Sequence, residues 1–140
     1  MHSLPSSALV RDEFEEDLNI LSVDDEKAVT TTIKVLLKQS GHSVDVLHDG
    51  QEALSRLTDR PDHYDILIVD HFMPKVLGLE LLIQLPINVF KGRIIVLSAH
   101  LTQELEAQYL ALGADKIMRK PFDVDELRHA VEVLGPRPRP

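Results

Sequence analysis

The sequence contains no cysteine and no tryptophan, and aromatic residues make up only 4% of its 140 residues. Without cysteine, the chain has neither disulfide bonds nor thiolate metal ligands. Cysteine-free chains occur both in reducing compartments and among exported proteins, so this absence does not decide the location. The scarcity of aromatic side chains argues against a base-stacking platform for single-stranded nucleic acid.

Positive charge is also scarce, because 23 acidic residues outnumber 15 basic ones and give a formal net charge of −8. A domain that grips a phosphate backbone on its own needs clustered Lys and Arg. No segment approaches the roughly 18 consecutive apolar residues of a membrane span, and no apolar run follows a basic start as in a signal peptide. We expect a cytoplasmic domain that contacts neither nucleic acid nor a membrane directly.

Short apolar runs alternate with longer helix-like segments from Leu18 onward. This alternation is typical of right-handed βαβ units in a parallel sheet. The predicted strands are Ile20–Val23, Val44–Leu47, Ile66–Val69, Ile94–Leu97 and Lys116–Met118. The predicted helices are Glu26–Gln39, Gly50–Thr58, Gly78–Leu85, Thr102–Leu112 and Asp123–Leu134. The sequence therefore predicts an α/β protein with a doubly wound, five-stranded parallel sheet.

The domain boundaries follow from composition. We interpret residues 18–134 as one globular domain. Residues 1–17 form an N-terminal extension that is either mobile or a short helix, since Val10, Phe14 and Leu18 are spaced four apart. Residues 135–140, rich in Pro and Arg, are interpreted as a linker or as the point at which a longer protein was truncated.

Local signals support the predicted helix bounds. Gly41 and Gly113 stand where helices are expected to end. Thr102 and Asp123 are predicted N-caps, because their side-chain oxygens can accept hydrogen bonds from free N–H groups of the first turn. Pro86 is expected to end the third helix.

Charged and polar side chains follow four of the predicted strands. Asp24 and Asp25 come after the first, Asp70 after the third, Ser98 after the fourth and Lys120 after the fifth. In an open α/β sheet, ligands bind beyond the carboxyl ends of the strands. We therefore expect three carboxylates, one hydroxyl and one ammonium to meet at one edge of the sheet.

This cluster needs a counter-charge. Two carboxylates about 5 Å apart repel by roughly 3 kcal/mol at an effective dielectric constant near 20, and Lys120 supplies only one positive charge. Mg²⁺ prefers oxygen ligands and keeps several waters, which leaves room for phosphate oxygens. Asp70 could then attack phosphorus through a free oxygen and form an acyl phosphate, while the cation and Lys120 offset the charge on the transferring group. Ser98 could donate a hydrogen bond to that group.

Five motifs in this order resemble the receiver domain of two-component response regulators. Any one of them is a weak signal, but together they cover about Leu18 to Leu134. They are ILSVDDE at Ile20–Glu26, HDGQEAL at His48–Leu54, ILIVDHFMPKVLG at Ile66–Gly78, VLSA at Val96–Ala99 and KPF at Lys120–Phe122. The resemblance implies a flavodoxin-like (βα)5 fold with strand order 2-1-3-4-5.

The resemblance also implies a metal site and a phosphoacceptor. It implies that Asp25 and Asp70 bind Mg²⁺ directly, together with the backbone carbonyl of Phe72, and that Asp24 acts through water. Asp70 would accept a phosphoryl group from a histidine kinase or a histidine phosphotransfer protein. Lys120, together with Ser98, would contact that group.

On the same resemblance, the domain is a signalling phosphoacceptor and not an enzyme in the usual sense, although it assists its own phosphoryl transfer and dephosphorylation. Phosphorylation would switch a partner, a dimer or a downstream output domain. Members of the family commonly pair through the face formed by the fourth helix, fifth strand and fifth helix, so a homodimer through this face is one possibility.

Two positions depart from the family pattern. Ile117 stands where the family carries an aromatic residue on the fifth strand, three residues before Lys120, so the usual aromatic switch is not expected in its standard form. Leu77 stands before Gly78, where the family often has Asp. We expect this position to lie in a surface loop.

Two other functions remain open. A Mg²⁺-dependent phosphatase with an Asp nucleophile usually has a second Asp two residues later, and here that residue is Phe72. A pseudo-receiver that binds a partner constitutively is opposed by the complete acidic set and supported by Ile117. His71 adjoins the proposed nucleophile, and we expect its side chain to line the mouth of the site without a direct chemical role.

Overall fold

The computed structural model describes residues 17–85 and 89–136. The extension predicted for residues 1–17 lies outside the described residues except for Asp17, and so does most of the short helix considered around Val10, Phe14 and Leu18. Residues 137–140 of the predicted linker are also outside. Leu18 itself is buried at the start of the domain.

The described chain alternates strands and helices as the sequence predicts, and every element bound lies within one residue of its prediction. The strands are β1 (Asn19–Val23), β2 (Ser43–Leu47), β3 (Ile66–Val69), β4 (Arg93–Ser98) and β5 (Lys116–Arg119). The helices are α1 (Lys27–Gln39), α2 (Gly50–Asp59), α3 (Gly78–Gln84), α4 (Gln103–Ala111) and α5 (Val124–Leu134).

The strands form one parallel sheet in the order β2-β1-β3-β4-β5. This confirms the predicted doubly wound architecture and strand order. The register places Val23, at the end of β1, level with Leu47 and Val69, and it places Ser98 level with Arg119. The loops that follow the strands therefore leave the sheet at a common edge.

The sheet is covered on both faces, which explains the uninterrupted aliphatic runs. Side chains along a strand alternate between faces, so Leu67 and Val69 of β3 join one core cluster while Ile66 and Ile68 join the other. All four are essentially fully buried. The β3 segment therefore lies rigidly between two apolar layers and supports the residue that follows it.

The helix ends carry the capping interactions that the sequence indicates. Thr102 accepts a hydrogen bond from the Leu105 N–H, and Asp123 accepts from the first turn of α5. Gly41 and Gly113 adopt φ angles of 95° and 102°, in the left-handed region that favours glycine after a helix. Among the described residues, no helix is both long and apolar enough to cross a membrane.

Candidate phosphorylation site

Three carboxylates meet at the carboxyl edge of the sheet, as the sequence predicts. One oxygen atom from each of Asp24, Asp25 and Asp70 lies within 4.8 Å of the other two. This arrangement follows from the pairing of β1 with β3, in which Val23 lies level with Val69. The residues that follow them, Asp24 and Asp70, therefore lie next to each other. Asp24 and Asp70 are buried, whereas Asp25 is exposed.

Lys120 reaches into this cluster from the loop after β5. Its Nζ lies 2.7 Å from Asp24 Oδ2 and 3.3 Å from Asp70 Oδ2. The backbone of Lys120 is held in place by its N–H, which donates to the Ser98 carbonyl oxygen over 3.1 Å. The peptide bond between Lys120 and Pro121 is cis. Lys120 therefore connects the end of β5 to the ends of β1 and β3 through its ammonium and to the end of β4 through its backbone N–H.

A fourth carboxylate contacts the ammonium, and sequence reasoning did not identify it. Glu26 Oε1 lies 2.7 Å from Lys120 Nζ. Glu26 is the N-cap of α1, but its side chain makes no capping hydrogen bond, so it is available for Lys120. In the sequence, only its position next to Asp24 and Asp25 points to a role for Glu26 in the site. The sequence alone does not show that α1 begins beside β5.

Asp24 and Lys120 form an ion pair at the centre of the cluster, and the pKa values of both residues are shifted. Burial raises the pKa of Asp24; hydrogen bonds from Lys120 and the Glu26 N–H oppose this rise, and the charge of Asp70 adds to it. Burial alone would lower the pKa of Lys120, but its hydrogen bonds to Asp24 and Glu26 and the nearby negative charges outweigh that effect and raise it. The pKa of Asp24 is thus raised mainly by its burial, and the pKa of Lys120 is raised by the carboxylates that surround it.

Ser98 is fully buried at the end of β4, and its Oγ has no hydrogen-bond partner among the described residues. A buried hydroxyl without a partner is costly and calls for a physical explanation. Ser98 lines the same cleft as Asp70 and Lys120. A ligand oxygen in this cleft would give the hydroxyl its missing partner.

Phe72 lines the same cleft as Asp25 and Asp70. Its side chain is half exposed, and its ring lies edge-on to that of His100, with centroids 6.4 Å apart. Sequence reasoning assigned only the backbone carbonyl of this residue. The structure adds an aromatic side chain and an imidazole beside the opening of the cleft.

The predicted position of the His71 side chain was wrong, whereas its lack of a direct chemical role stays a prediction. Instead of lining the mouth of the site, its side chain is buried against α4, and its Nδ1 lies 2.6 Å from the hydroxyl oxygen of Tyr109. Burial lowers the pKa of His71, although the charge of Asp70 opposes this. The ring therefore favours its neutral form.

Ile117 is half-buried on β5 and packs against the core cluster on one face of the sheet. Its register partner is Val96 of β4. The position is thus filled by an aliphatic side chain that lies partly buried against the core. Leu77, the other departure from the family pattern, is half-buried before α3.

The donor atoms of the cluster suit a hard divalent cation. They are carboxylate oxygens only, three lie within 4.8 Å of one another, and two belong to buried residues whose mutual repulsion a cation would relieve. Mg²⁺ is commonly held by one or two carboxylates and several waters. The residues present therefore fit such an ion.

Comparisons with known proteins identify the family. The family model for the response regulator receiver domain matches residues 20–132. Response regulator MprA of Mycobacterium avium is 37% identical over 124 residues, which cover 88% of this chain and 53% of that protein. Response regulator MprA of Mycobacterium leprae is 36% identical over the same shares. The chain thus spans about half the length of these relatives.

Solved structures agree in fold. The receiver domain of the Francisella response regulator 1452 superposes with a TM-score of 0.75 at 33% identity, covering 84% of this chain and 96% of that one. Vibrio cholerae chemotaxis protein CheY4 has a TM-score of 0.76 at 24% identity, covering 86% of this chain and all of the other. The family model over residues 20–132 and the 33% identical Francisella receiver domain show that the chain belongs to the response regulator receiver domain family.

Proposed function

We propose that this domain accepts a phosphoryl group on Asp70 in a Mg²⁺-dependent reaction, with a histidine kinase or a histidine phosphotransfer protein as donor. One observation carries the proposal. The Asp70 carboxylate, supported by the rigid β3, lies within 4.8 Å of the oxygens of two other carboxylates and 3.3 Å from an ammonium. A nucleophile beside a cation site and a positive side chain is the arrangement that phosphoryl transfer requires.

The residues have distinct roles. Asp25 and Asp70 would hold Mg²⁺ directly with the Phe72 carbonyl, and Asp24 would hold one of its waters. When bound, the ion neutralises part of the negative charge of the carboxylates and the incoming phosphoryl group. Lys120 contributes a second, permanent positive charge that its contacts with Asp24 and Glu26 already orient.

The transfer itself is a displacement at phosphorus. An oxygen of Asp70 forms a bond to phosphorus while the bond between phosphorus and the imidazole nitrogen of the donor breaks, and the electron pair of that bond stays with the imidazole. The product is an acyl phosphate, which carries about −1.5 to −2 charge in the manner of other phosphorylated residues. The unpartnered hydroxyl of Ser98 would donate a hydrogen bond to it.

The relatives are about twice as long as the matched region, so we propose that the receiver switches a C-terminal output domain in a longer cytoplasmic protein. A homodimer through α4, β5 and α5 is an alternative output. On this face, Arg119 pairs with Glu106 within the chain and also donates to the Leu101 carbonyl. A dimer through this face would have to form around this internal ion pair or replace it.

Intact-mass spectrometry after incubation with Mg²⁺ and acetyl phosphate tests the proposal. We expect one phosphoryl adduct in the wild type and in Asp62→Asn, a matched control at an exposed carboxylate away from the site. Asp70→Asn, and the wild type in excess EDTA, should show none. A folded wild type that forms no adduct under conditions that phosphorylate another receiver would contradict the proposal and favour a pseudo-receiver.

A further inference from the structure

A buried pair of polar side chains connects the loop after β3 to helix α4. The Tyr109 hydroxyl oxygen lies 2.6 Å from His71 Nδ1, and the two rings meet edge-on with centroids 5.6 Å apart. Tyr109 is fully buried and His71 is 7% exposed. One of the two groups donates this hydrogen bond and the other accepts it, according to the tautomer of the ring.

The backbone of His71 is also hydrogen-bonded to the carboxylate of the proposed nucleophile, Asp70. Its backbone N–H donates to Asp70 Oδ1 over 2.8 Å, and its carbonyl accepts from the Gly78 N–H over 2.9 Å at the start of α3. A continuous chain of contacts therefore runs from the Asp70 carboxylate through His71 to Tyr109. A displacement of Asp70 Oδ1 therefore affects His71, and His71 is the residue that is hydrogen-bonded to the Tyr109 hydroxyl.

Because Gly78 has no side chain, the contacts between Asp70, His71 and Tyr109 can pack closely against the start of α3. A Cβ at Gly78 would lie 2.4 Å from the Asp70 carbonyl oxygen and 2.6 Å from the Tyr109 hydroxyl. Both distances are far below van der Waals contact. The same Cβ would lie 3.1 Å from His71 Cα, so the start of α3 is packed against both His71 and Tyr109 and leaves them little freedom to move independently.

Tyr109 is the only fully buried residue of α4. Leu105 packs against the core only in part, and Leu110 on the same helix is largely exposed. Few buried apolar contacts allow an element to shift at low cost. The most deeply buried side chain of α4, that of Tyr109, is therefore the one that is hydrogen-bonded to His71, the residue after the proposed nucleophile.

We propose that the His71–Tyr109 hydrogen bond carries the state of Asp70 to α4 and takes the place of the aromatic side chain that Ile117 lacks on β5. The proposal rests on the proposed phosphorylation of Asp70. A phosphoryl group on the carboxylate alters the acceptor of the His71 N–H, the position of His71 changes, and Tyr109 moves α4 with it. The exposed surface of α4 then differs between the two states.

NMR spectroscopy with beryllofluoride, a non-covalent phosphoryl analogue, tests this route. ¹H–¹⁵N spectra of the full chain with Mg²⁺ are compared with and without saturating beryllofluoride, for the wild type, Tyr109→Phe and Tyr64→Phe. Tyr109→Phe removes only the hydroxyl. Tyr64→Phe is the matched control, because its hydroxyl is also hydrogen-bonded, to Asp45 at 2.6 Å, but at the opposite end of β3.

In the wild type and Tyr64→Phe, beryllofluoride should shift the amides of Ser98, Lys120 and α4. In Tyr109→Phe, the Ser98 and Lys120 amides should still shift, while the α4 amide shifts fall by about twofold or more. Unchanged α4 shifts in Tyr109→Phe would overturn the coupling route and leave the proposed function intact. Failure of beryllofluoride to shift any site amide in the wild type would overturn both.

Substitutions at His71 separate coupling from packing. Asn places a polar atom near the position of the imidazole Nδ1, whereas Leu fills similar space without one. We expect His71→Asn to retain the beryllofluoride-induced α4 shifts and His71→Leu to lose them by about twofold or more. Equal α4 responses in the two variants would contradict a role for the hydrogen bond.

Discussion

The ammonium of Lys120 lies 2.7 Å from Asp24 Oδ2, although β3 and β4 separate the two strands that these residues follow. The contact spans the carboxyl edge of the sheet and exists only in the folded chain. It joins a residue whose pKa is raised by burial to a cation whose pKa is raised mainly by its carboxylate partners, against the effect of burial. Three carboxylates, those of Asp24, Glu26 and Asp70, contact this one ammonium, so a second cation would relieve the excess of negative charge at the edge.

Mg²⁺ is expected to stabilise the folded protein. A ligand that binds only the folded state at 100 times its dissociation constant adds about 2.7 kcal/mol to the free energy of unfolding. Urea denaturation with increasing Mg²⁺ measures this gain. Asp25→Asn should weaken the apparent affinity about tenfold or more, and Asp62→Asn should leave it unchanged. Equal stabilisation of the wild type by NaCl and MgCl₂ at matched ionic strength would show charge screening alone and would contradict a specific Mg²⁺ site.

Replacing Lys120 by Met should destabilise the metal-free protein. The substitution leaves Asp24, Glu26 and Asp70 without their shared ammonium, and loss of one partner from a mostly buried ion pair costs about 3 kcal/mol. Because the pKa of Lys120 is raised, its contribution is fully present below its ordinary value of 10.5 and is lost only as pH rises through the higher folded value.

The loss should therefore be constant from neutral pH to about 10, as measured by urea denaturation in EDTA. Lys116→Met, at an exposed lysine of β5, is the matched control. Equal stability of the two variants would show that the Lys120 contacts contribute nothing to folding.

Asp24 is expected to make the metal-free protein less stable as pH rises. Its raised pKa means that the folded state binds the proton more tightly than the unfolded chain, so the free energy of unfolding falls from about pH 3.8, its ordinary pKa, upward through the folded pKa. Asp24→Asn removes this contribution. Relative to the wild type in EDTA, the variant should gain stability between pH 3.8 and neutrality; a relative loss over that range would contradict the assigned direction.

Gly78→Ala should destabilise the fold by about 2 kcal/mol or more, because the new methyl group meets the Asp70 carbonyl oxygen at 2.4 Å and one of them must move. Thermal and urea unfolding measure the loss. The same substitution should slow adduct formation on Asp70, since the displaced backbone carries the nucleophile. Normal stability would mean that the start of α3 is not packed against the site as described.

The sheet and most of the acidic edge follow from sequence because both depend on periodic patterns and chain order. The aliphatic run of β3 must be buried on both faces, and the residue after it must emerge at the ligand-binding edge. Asp70 and Lys120 are therefore brought together by topology alone. The roles of individual ligands, including the Phe72 carbonyl, remain predictions.

Contacts that depend on how a helix is rotated and positioned on the sheet were not predictable in this way. Glu26 reaches Lys120 because α1 begins beside the loop after β5, and the sequence of α1 does not specify that neighbour. His71 was assigned to the mouth of the site, but it packs under α4 because Tyr109 offers a buried hydroxyl there. Neither residue type nor spacing pairs these two positions.

Mapping the phosphoryl group tests the central claim most directly. The protein is treated with Mg²⁺ and acetyl phosphate and then reduced with borohydride, which converts an aspartyl phosphate to homoserine, and its peptides are sequenced by tandem mass spectrometry. The account predicts homoserine at position 70 and at no other aspartate. Homoserine at Asp24 or Asp25, or a phosphoryl group that resists reduction and maps to a histidine or serine, would contradict it.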